Sequence, residues 1–197
     1  MPLFCGGTEK YMKTDVLIIG AGPAGIFTAI EMLRNNSKKK IVIAEKGQSI
    51  EKRHCPKAKT QKCVGCKPYC HITTGFSGAG AFSDGKLSLS SDVGGNLPTL
   101  IGEDLAQEMI DYTDKIYLEF GADTKVEGVS NSEAVKEIRK NAIQAGLKLV
   151  DCPIRHLGTE KAQDIYLAIG KYLINNGVEI MFGCECTNLI LENDVCK

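Results

Sequence analysis

The stretch DVLIIGAGPAGIFTAIEM, residues 15–32, combines three patterns that belong to one supersecondary unit. Residues 15–19 are predicted to form a strand, since the branched apolar run at 16–19 that follows Asp15 is typical of a strand buried on both faces of a parallel sheet. Apolar residues then recur at helical spacing from Pro23 to Asn35, and a proline suits the first helical turn. A second apolar run follows at 41–44. The sequence therefore predicts an α/β protein that begins with a βαβ crossover.

The turn between the first strand and the helix is the hexamer GAGPAG. Gly20 permits a tight turn, Gly22 lets a pyrophosphate approach the backbone, and Gly25 lets the helix and strand pack closely. The helix N-terminus adds unpaired N–H groups and a positive dipole end. Glu45 ends the second strand about 20 residues later, where an acid can reach ribose hydroxyls. We expect a dinucleotide site for FAD or NAD, which both carry an unphosphorylated adenosine ribose; a purely structural glycine turn is the alternative.

Beyond the second strand the apolar residues show no regular spacing, and a helical spacing of apolar residues returns only after residue 102. Helices are predicted at 103–120 and at 159–175. Between them, a third helix is predicted to begin at the capping box formed by Ser130 and Glu133 and to end at Gly146. Strands are predicted at 147–154 and 178–182. We therefore divide the chain into three predicted segments. Residues 1–100 form a dinucleotide-binding segment with a Cys-rich loop at 51–71. Residues 101–176 form a helical insertion that starts a second, α+β region, and residues 177–197 form a strand that returns to the first region. The expected fold is a Rossmann-like domain of the α/β class, and an incomplete one.

Composition excludes several classes of protein. Lys and Arg together number 24 and so do Asp and Glu, and this zero net charge argues against a nucleic-acid binder. With 43% hydrophobic residues the chain can form a core, so disorder is excluded. No apolar run is long enough to span a membrane, and the N-terminus lacks the apolar region of a signal peptide. We therefore expect a cytoplasmic protein with no membrane or nucleic-acid partner. The chain contains no Ser-His-Asp or H-E-x-x-H pattern that would indicate a hydrolase.

Several segments of the sequence carry a resemblance to a known family. The stretch at 15–32 with Glu45-Lys46-Gly47 resembles the N-terminal FAD-binding segment of two-dinucleotide-binding-domain flavoproteins. The segments RHCP at 53–56, GFSGAGAFSDGKLSLS at 75–90 and IRHLGT at 154–159 resemble, more narrowly, a family of bacterial FAD-dependent dehydrogenases. Members of that family continue well past residue 197. The resemblance therefore implies an N-terminal portion: a fragment, a truncated product or half of a split protein.

The resemblance also implies which residues contact FAD. The ADP half would lie on the glycine turn and Glu45, with two basic side chains near the ribose and phosphates. A glycine-rich backbone would face the flavin, and a returning strand would offer backbone to the adenine. The implied contacts are Gly20, Ala21, Gly22, Pro23, Ala24, Gly25, Glu45, Lys46, Arg53, Gly78, Ala79, Gly80 and Cys186. No catalytic residue is assigned.

A cysteine cluster forms the second constellation of the sequence. Its C-x-x-C core can place two thiolates on one turn, as zinc or an iron–sulfur cluster requires. The surrounding loop, 51–71, is rich in lysine, and such a field lowers the pKa of thiols. The predicted metal ligands are Cys55, Cys63, Cys66 and Cys70. A redox-active Cys63/Cys66 pair and ordinary free thiols are the alternatives; with 9 cysteines, an odd number, a disulfide framework is less favoured.

Three functions fit these patterns. The leading hypothesis is the FAD-binding portion of a FAD-dependent oxidoreductase, whose flavin accepts a hydride from an unknown donor. An NAD-dependent dehydrogenase would keep the fold, but it has no need for the segment at 75–90. The third is a non-catalytic nucleotide- or metal-binding module, or a subunit completed by a complementary chain.

Overall fold

The computed structural model describes residues 2–5, 8–11, 13–83, 85–129, 131–192 and 195–196. These residues form a mixed α/β structure. The chain divides into a first unit, Met1–Phe82 with Tyr166–Lys197, and a second unit, Ser83–Ile165.

Strands and helices alternate in the first part of the chain, and helices dominate its middle. The strands are β1 (Pro2–Cys5), β2 (Thr8–Tyr11), β3 (Val16–Ile19), β4 (Ile41–Glu45), β5 (Lys86–Ser88), β6 (Ile154–His156), β7 (Glu179–Phe182), β8 (Cys184–Glu185), β9 (Leu191–Glu192) and β10 (Val195–Cys196). The α-helices are α1 (Pro23–Arg34), α2 (Lys57–Thr60), α3 (Leu97–Ile101), α4 (Glu103–Glu119), α5 (Ser132–Gln144) and α6 (Thr159–Asn175). Short 3₁₀ turns span Ile50–Lys52 and Gly80–Phe82.

A parallel sheet with the strand order β3-β4-β7 lies at the centre of the first unit. Val16 pairs with Ile41, and Val42 pairs with Glu179 on the other side of β4. All five residues of β4 are buried, as expected for the middle strand of a parallel sheet covered on both faces. The predicted α/β class and the parallel pairing of the first two strands are confirmed.

Helix α1 connects the first two parallel strands and packs against the sheet. Its buried residues, Ile26, Ala29 and Ile30, recur at helical spacing on one face. A Cβ atom at Gly25 would lie 2.1 Å from the carbonyl oxygen of Gly20 and 3.0 Å from Cγ2 of Ile18. Only glycine therefore allows the first turn of this helix to approach the end of β3 so closely.

In the second unit the helices agree with their predicted positions more closely than the strands do. Helix α4 occupies 103–119, almost the predicted range. Ser130 of the predicted capping box lies outside the described residues, and Asn131 is the N-cap of α5, accepting a hydrogen bond from the Ala134 N–H at 3.2 Å. The strand predicted at 147–154 is wrong, because the chain is extended into a strand only from Ile154, where it pairs with β5.

Arg155 on β6 is a buried charged residue of the second unit. It is 4% exposed, and its Nε and Nη2 donate to the two carboxylate oxygens of Asp114 on α4 at 2.5 and 2.8 Å. Its Nη1 also donates to the Asp123 carbonyl at 2.5 Å. The hydrogen bonds that Arg155 donates to Asp114 raise the pKa of Arg155 above its ordinary value. This bidentate pair ties the strand to the helix.

The bounds of the units differ from the three predicted segments. The antiparallel pairing of β5 with β6 places the end of the glycine-rich segment in the second unit. The chain returns to the first unit from Tyr166, within α6, which is earlier than the predicted residue 177. No helix among the described residues has both the length and the apolar character needed to cross a bilayer.

Candidate functional site

A cleft of about 350 Å³ lies in the first unit, at the carboxyl ends of β3 and β4. In open parallel sheets this edge is where ligands bind, because the loops that follow the strands meet there. The residues that line the cleft are Ile19, Gly20, Gly22, Ala44, Glu45, Lys46, Thr73, Thr74, Gly75, Gly78, Cys184, Glu185 and Cys186. The lining thus joins the glycine turn, the end of β4, the loop at 73–78 and the residues at and after β8.

The glycine turn leaves open space on its cleft side. Gly20 has a φ of +94°, which favours glycine, and its N–H donates to the Ala44 carbonyl at 2.8 Å. Among the described residues, apart from the chain neighbours, no atom would lie within 4 Å of a Cβ atom at Gly20 or Gly22. Gly22 is the N-cap of α1 and makes no side-chain cap, and Pro23 begins the helix. The turn therefore exposes the N-terminus of α1 to a ligand that approaches Gly22, as anion binding by backbone N–H groups requires.

Glu45 holds the turn in place. It is 5% exposed, and its two carboxylate oxygens accept hydrogen bonds from the N–H groups of Ala21 and Gly47 at 2.8 and 2.7 Å. The predicted contact of this acid with a ribose stays a prediction. The described bonds show that the carboxylate braces the glycine turn against the end of β4.

The segment at 75–78 docks directly onto the glycine turn. The Ser77 N–H donates to the Ala21 carbonyl at 2.7 Å, and the Ser77 hydroxyl, fully buried, accepts from the Ala81 N–H at 3.1 Å. A Cβ atom at Gly47 would lie 2.4 Å from the Gly75 nitrogen, so the two backbones approach as closely as glycines allow. Two glycine-rich segments that are distant in sequence therefore form one wall of the cleft.

Arg53 binds the backbone of the loop that lines the cleft, and its predicted place near the phosphates stays a prediction. It is 5% exposed and donates to four backbone carbonyls, those of His71, Ile72, Phe76 and Gly78, at 2.6 to 2.8 Å. Burial lowers the pKa of Arg53, while the charges of Glu45 and Cys70 oppose that shift. Its described bonds organise the loop at 71–78 that lines the cleft.

A tyrosine connects the Cys-rich loop to the returning strand. The Tyr69 hydroxyl donates to the Glu185 carboxylate, and this bond raises the pKa of Tyr69. The Lys46 ammonium lies 4.5 Å from the centre of the Tyr69 ring, a cation–π contact.

The two cysteines at and after β8 differ in state. Cys186 is a free thiol that lines the cleft, whereas Cys184 is buried and disulfide-bonded, although the sequence analysis did not favour disulfides.

The predicted contacts divide into two groups in the structure. Those that line the cleft are Gly20, Gly22, Glu45, Lys46, Gly78 and Cys186. Those outside the lining are Ala21, Pro23, Ala24, Gly25, Arg53, Ala79 and Gly80. Sequence reasoning missed Thr73, Thr74 and the docking role of Ser77. The start of the segment at 75–90 was the only signal near them, and the loop before it carries no periodic pattern.

The four-cysteine metal site is not formed in this structure. No group of three or more Cys, His, Asp or Glu side chains among the described residues lies close enough to hold a metal ion. Cys55, Cys63, Cys66 and Cys70 are all free thiols, and Cys63 and Cys70 are exposed. The short helix α2 and the left-handed turn at Gln61 lie between Cys55 and the C-x-x-C core.

Comparisons with known proteins found similarity only to distant relatives or over short segments. No family model matches it. An uncharacterized protein of Clostridium beijerinckii is 38% identical over 82 residues, which are 42% of this chain and 15% of that protein. An L-amino acid deaminase from Proteus vulgaris is 17% identical with a TM-score of 0.46, covering 98% of this chain and 45% of its own.

The L-amino acid deaminase from Proteus myxofaciens in complex with anthranilate is 14% identical with a TM-score of 0.39, covering 99% of this chain and 44% of its own. The chain thus spans less than half the length of these three proteins. A similarity at this level does not establish a shared activity.

Proposed function

We propose that the cleft binds the ADP moiety of FAD, and that the chain is the FAD-binding portion of a flavin-dependent oxidoreductase. The observation that carries the proposal is the open space at Gly22 in front of the N-terminus of α1. A pyrophosphate needs a close backbone approach and N–H donors; Gly22 leaves the space, and the first N–H groups of a helix such as α1 have no intrahelical partner.

The other walls of the cleft support the same ligand. Lys46 offers a positive charge beside the turn, and the residues at and after β8 offer backbone and a small side chain at the opposite end. The segment at 75–78 extends the wall from the glycine turn toward the 3₁₀ turn at Gly80. FAD supplies hydride-accepting chemistry when bound, and this chain positions its nucleotide half and shields it from water.

The substitution Gly22→Ala tests the proposal without disturbing the fold. Gly22 has an ordinary φ of −73°, and the added Cβ would have no atom of the described part of the chain within 4 Å apart from its chain neighbours. The methyl group would instead occupy the space that the pyrophosphate needs. We expect FAD affinity, measured by flavin fluorescence on titration, to fall by about tenfold or more with an unchanged melting temperature.

Gly170→Ala is the matched control, because its Cβ in α6 would make ordinary contacts of 3.4 Å and 3.5 Å with the ring of Phe76, a residue that does not line the cleft. Equal FAD affinity in the wild type and the Gly22→Ala variant would contradict the proposal. So would saturable binding of NAD by a chain that does not bind FAD, which would favour the NAD-dependent dehydrogenase. Gly25→Ala is not suitable, since its Cβ would clash with backbone and lower stability.

A further inference from the structure

A second cavity, of about 340 Å³, lies in the first unit beside the cleft, and Lys46 and Thr74 line both. We call it the cationic cavity. Its lining residues are Lys46, Gly47, Gln48, Lys52, Arg53, Pro68, Tyr69, Cys70, His71, Thr74 and Gly183. Neither the glycine turn nor the residues at and after β8 belong to this lining.

The lining of the cationic cavity carries an excess of positive charge. Three of its side chains are cations, Lys46, Lys52 and Arg53, and none of its lining residues is Asp or Glu. The nearby carboxylates bond elsewhere: Glu45 accepts from two backbone N–H groups, and Glu185 accepts from Tyr69. In a chain of zero net charge, this concentration of one sign in a concave site attracts anions.

The structure also holds the lining in place. Arg53 is fixed by its bonds to four carbonyls, and it thereby orders the loop that presents His71 and Thr74. The Nδ1 atom of His71 lies 3.2 Å from the His54 carbonyl oxygen, which can only accept, so Nδ1 is the donor. Lys46 is positioned by its contact with the Tyr69 ring. A preorganised set of cations and polar groups loses less entropy when it binds an anion than a set of mobile side chains would.

We infer that the cationic cavity is a phosphate-binding site, separate from the glycine turn, that takes the phosphate group of a small ligand. A phosphate group carries close to two negative charges at neutral pH and presents three acceptor oxygens. It can therefore pair with the two lysine ammonium groups of the lining, Lys46 and Lys52, beside the buried Arg53, more fully than a single carboxylate can. The volume exceeds that of the ion alone and leaves room for an organic substituent. The inference goes beyond the proposed function and does not depend on it.

The first test is calorimetric titration of the full chain with inorganic phosphate, at ionic strength matched with chloride. Lys52 lines the cationic cavity but not the cleft, so Lys52→Ala separates the two sites. We expect this variant to lose about tenfold in phosphate affinity. Lys59→Ala, an exposed lysine of α2 outside the lining, is the matched control and should change the affinity less than twofold.

The second readout uses a residue of the cavity wall as its reporter. Cys70 lines the cavity and is exposed, and Cys63 is an exposed thiol of the same loop outside the lining. Bound phosphate should slow alkylation of Cys70 by iodoacetamide and leave Cys63 unchanged, as followed by peptide mass spectrometry. Protection that disappears in Lys52→Ala and persists in Lys59→Ala would support the inference.

Several outcomes would overturn it. These are the absence of saturable phosphate binding, an equal loss in both lysine variants, and tighter binding of malonate than of phosphate. If phosphate binding is lost when FAD saturates the protein, while Lys52→Ala has no effect, the ion binds at the glycine turn and the inference is wrong. If FAD itself does not bind, the proposed function fails, and the dependence on Lys52 still decides the inference.

Discussion

Arg53 is a single side chain on which the geometry of the cleft depends. Its guanidinium supplies hydrogen bonds to four carbonyls of the loop at 71–78 and lies 4.5 Å from the centre of the Phe82 ring. Lysine keeps the charge but cannot reproduce this planar set of donors. We expect Arg53→Lys to lower the free energy of unfolding by about 3 kcal/mol, because buried carbonyls would lose their partners.

Urea denaturation measures this change, and Arg139→Lys provides the comparison. Arg139 donates to Asp151 on the surface, with 41% of its side chain exposed, so its replacement should cost less than about 1 kcal/mol. Similar losses for the two substitutions would show that the carbonyl bonds of Arg53 contribute little.

Cys70 provides a pH-dependent prediction. The N–H groups of Ile72 and Thr73 and the Thr73 hydroxyl donate to its sulfur, and Arg53 adds a positive charge, so the pKa of Cys70 lies below its ordinary value. A lowered pKa means that the reactive thiolate is present at lower pH than in an ordinary thiol. We expect the pH–rate curve for iodoacetamide to have its midpoint below that of a free cysteine.

Thr73→Val removes the hydroxyl donor and keeps the shape of the side chain. This variant should move the midpoint for Cys70 upward, and Cys63 in the same sample serves as the internal reference. An unchanged midpoint would mean that the hydroxyl does not stabilise the thiolate.

At the scale of elements, the contact between α4 and β6 rests on a buried ion pair. Arg155 and Asp114 form two hydrogen bonds, and their side chains are 5% and 14% exposed. We expect Asp114→Asn to lower stability by about 3 kcal/mol, because the buried guanidinium would lose its counter-charge. Thermal unfolding followed by circular dichroism measures the effect.

Glu133→Gln is the control for that prediction. Glu133 pairs with Lys136 on the exposed face of α5, with side chains 81% and 66% exposed, and its removal should cost under about 0.5 kcal/mol. If both variants unfold at the wild-type temperature, the Arg155–Asp114 pair does not hold the strand to the helix.

At the scale of the whole molecule, the two units should respond differently to a nucleotide. Every residue that lines the cleft belongs to the first unit. We expect excess ADP, the moiety that the cleft would hold, to slow amide hydrogen exchange in residues 13–82 and 166–192 by a factor of about 1 + [L]/Kd where exchange requires opening of that unit. Exchange in 83–165 should stay unchanged, and an equal slowing there would contradict the assignment of the cleft.

Local patterns were sufficient to predict the parallel strands, helix α1 and the need for glycine at position 25. Apolar periodicity reports which face of an element is buried, and close packing between neighbouring elements leaves a direct mark on residue type. The same reasoning failed for the strand at 147–154, because its apolar residues have no partner strand before Ile154. Register and pairing depend on the rest of the fold rather than on the segment itself.

The sequence by itself determined the α/β class, the glycine turn and the acid at the end of β4. Only the tertiary structure decided what the charged and sulfur-bearing residues do. Arg53 binds carbonyls 18 to 25 residues away, and the thiols of the Cys-rich loop do not converge. A side chain's partner depends on how distant segments pack, and that information is not contained in the spacing of residues along the chain.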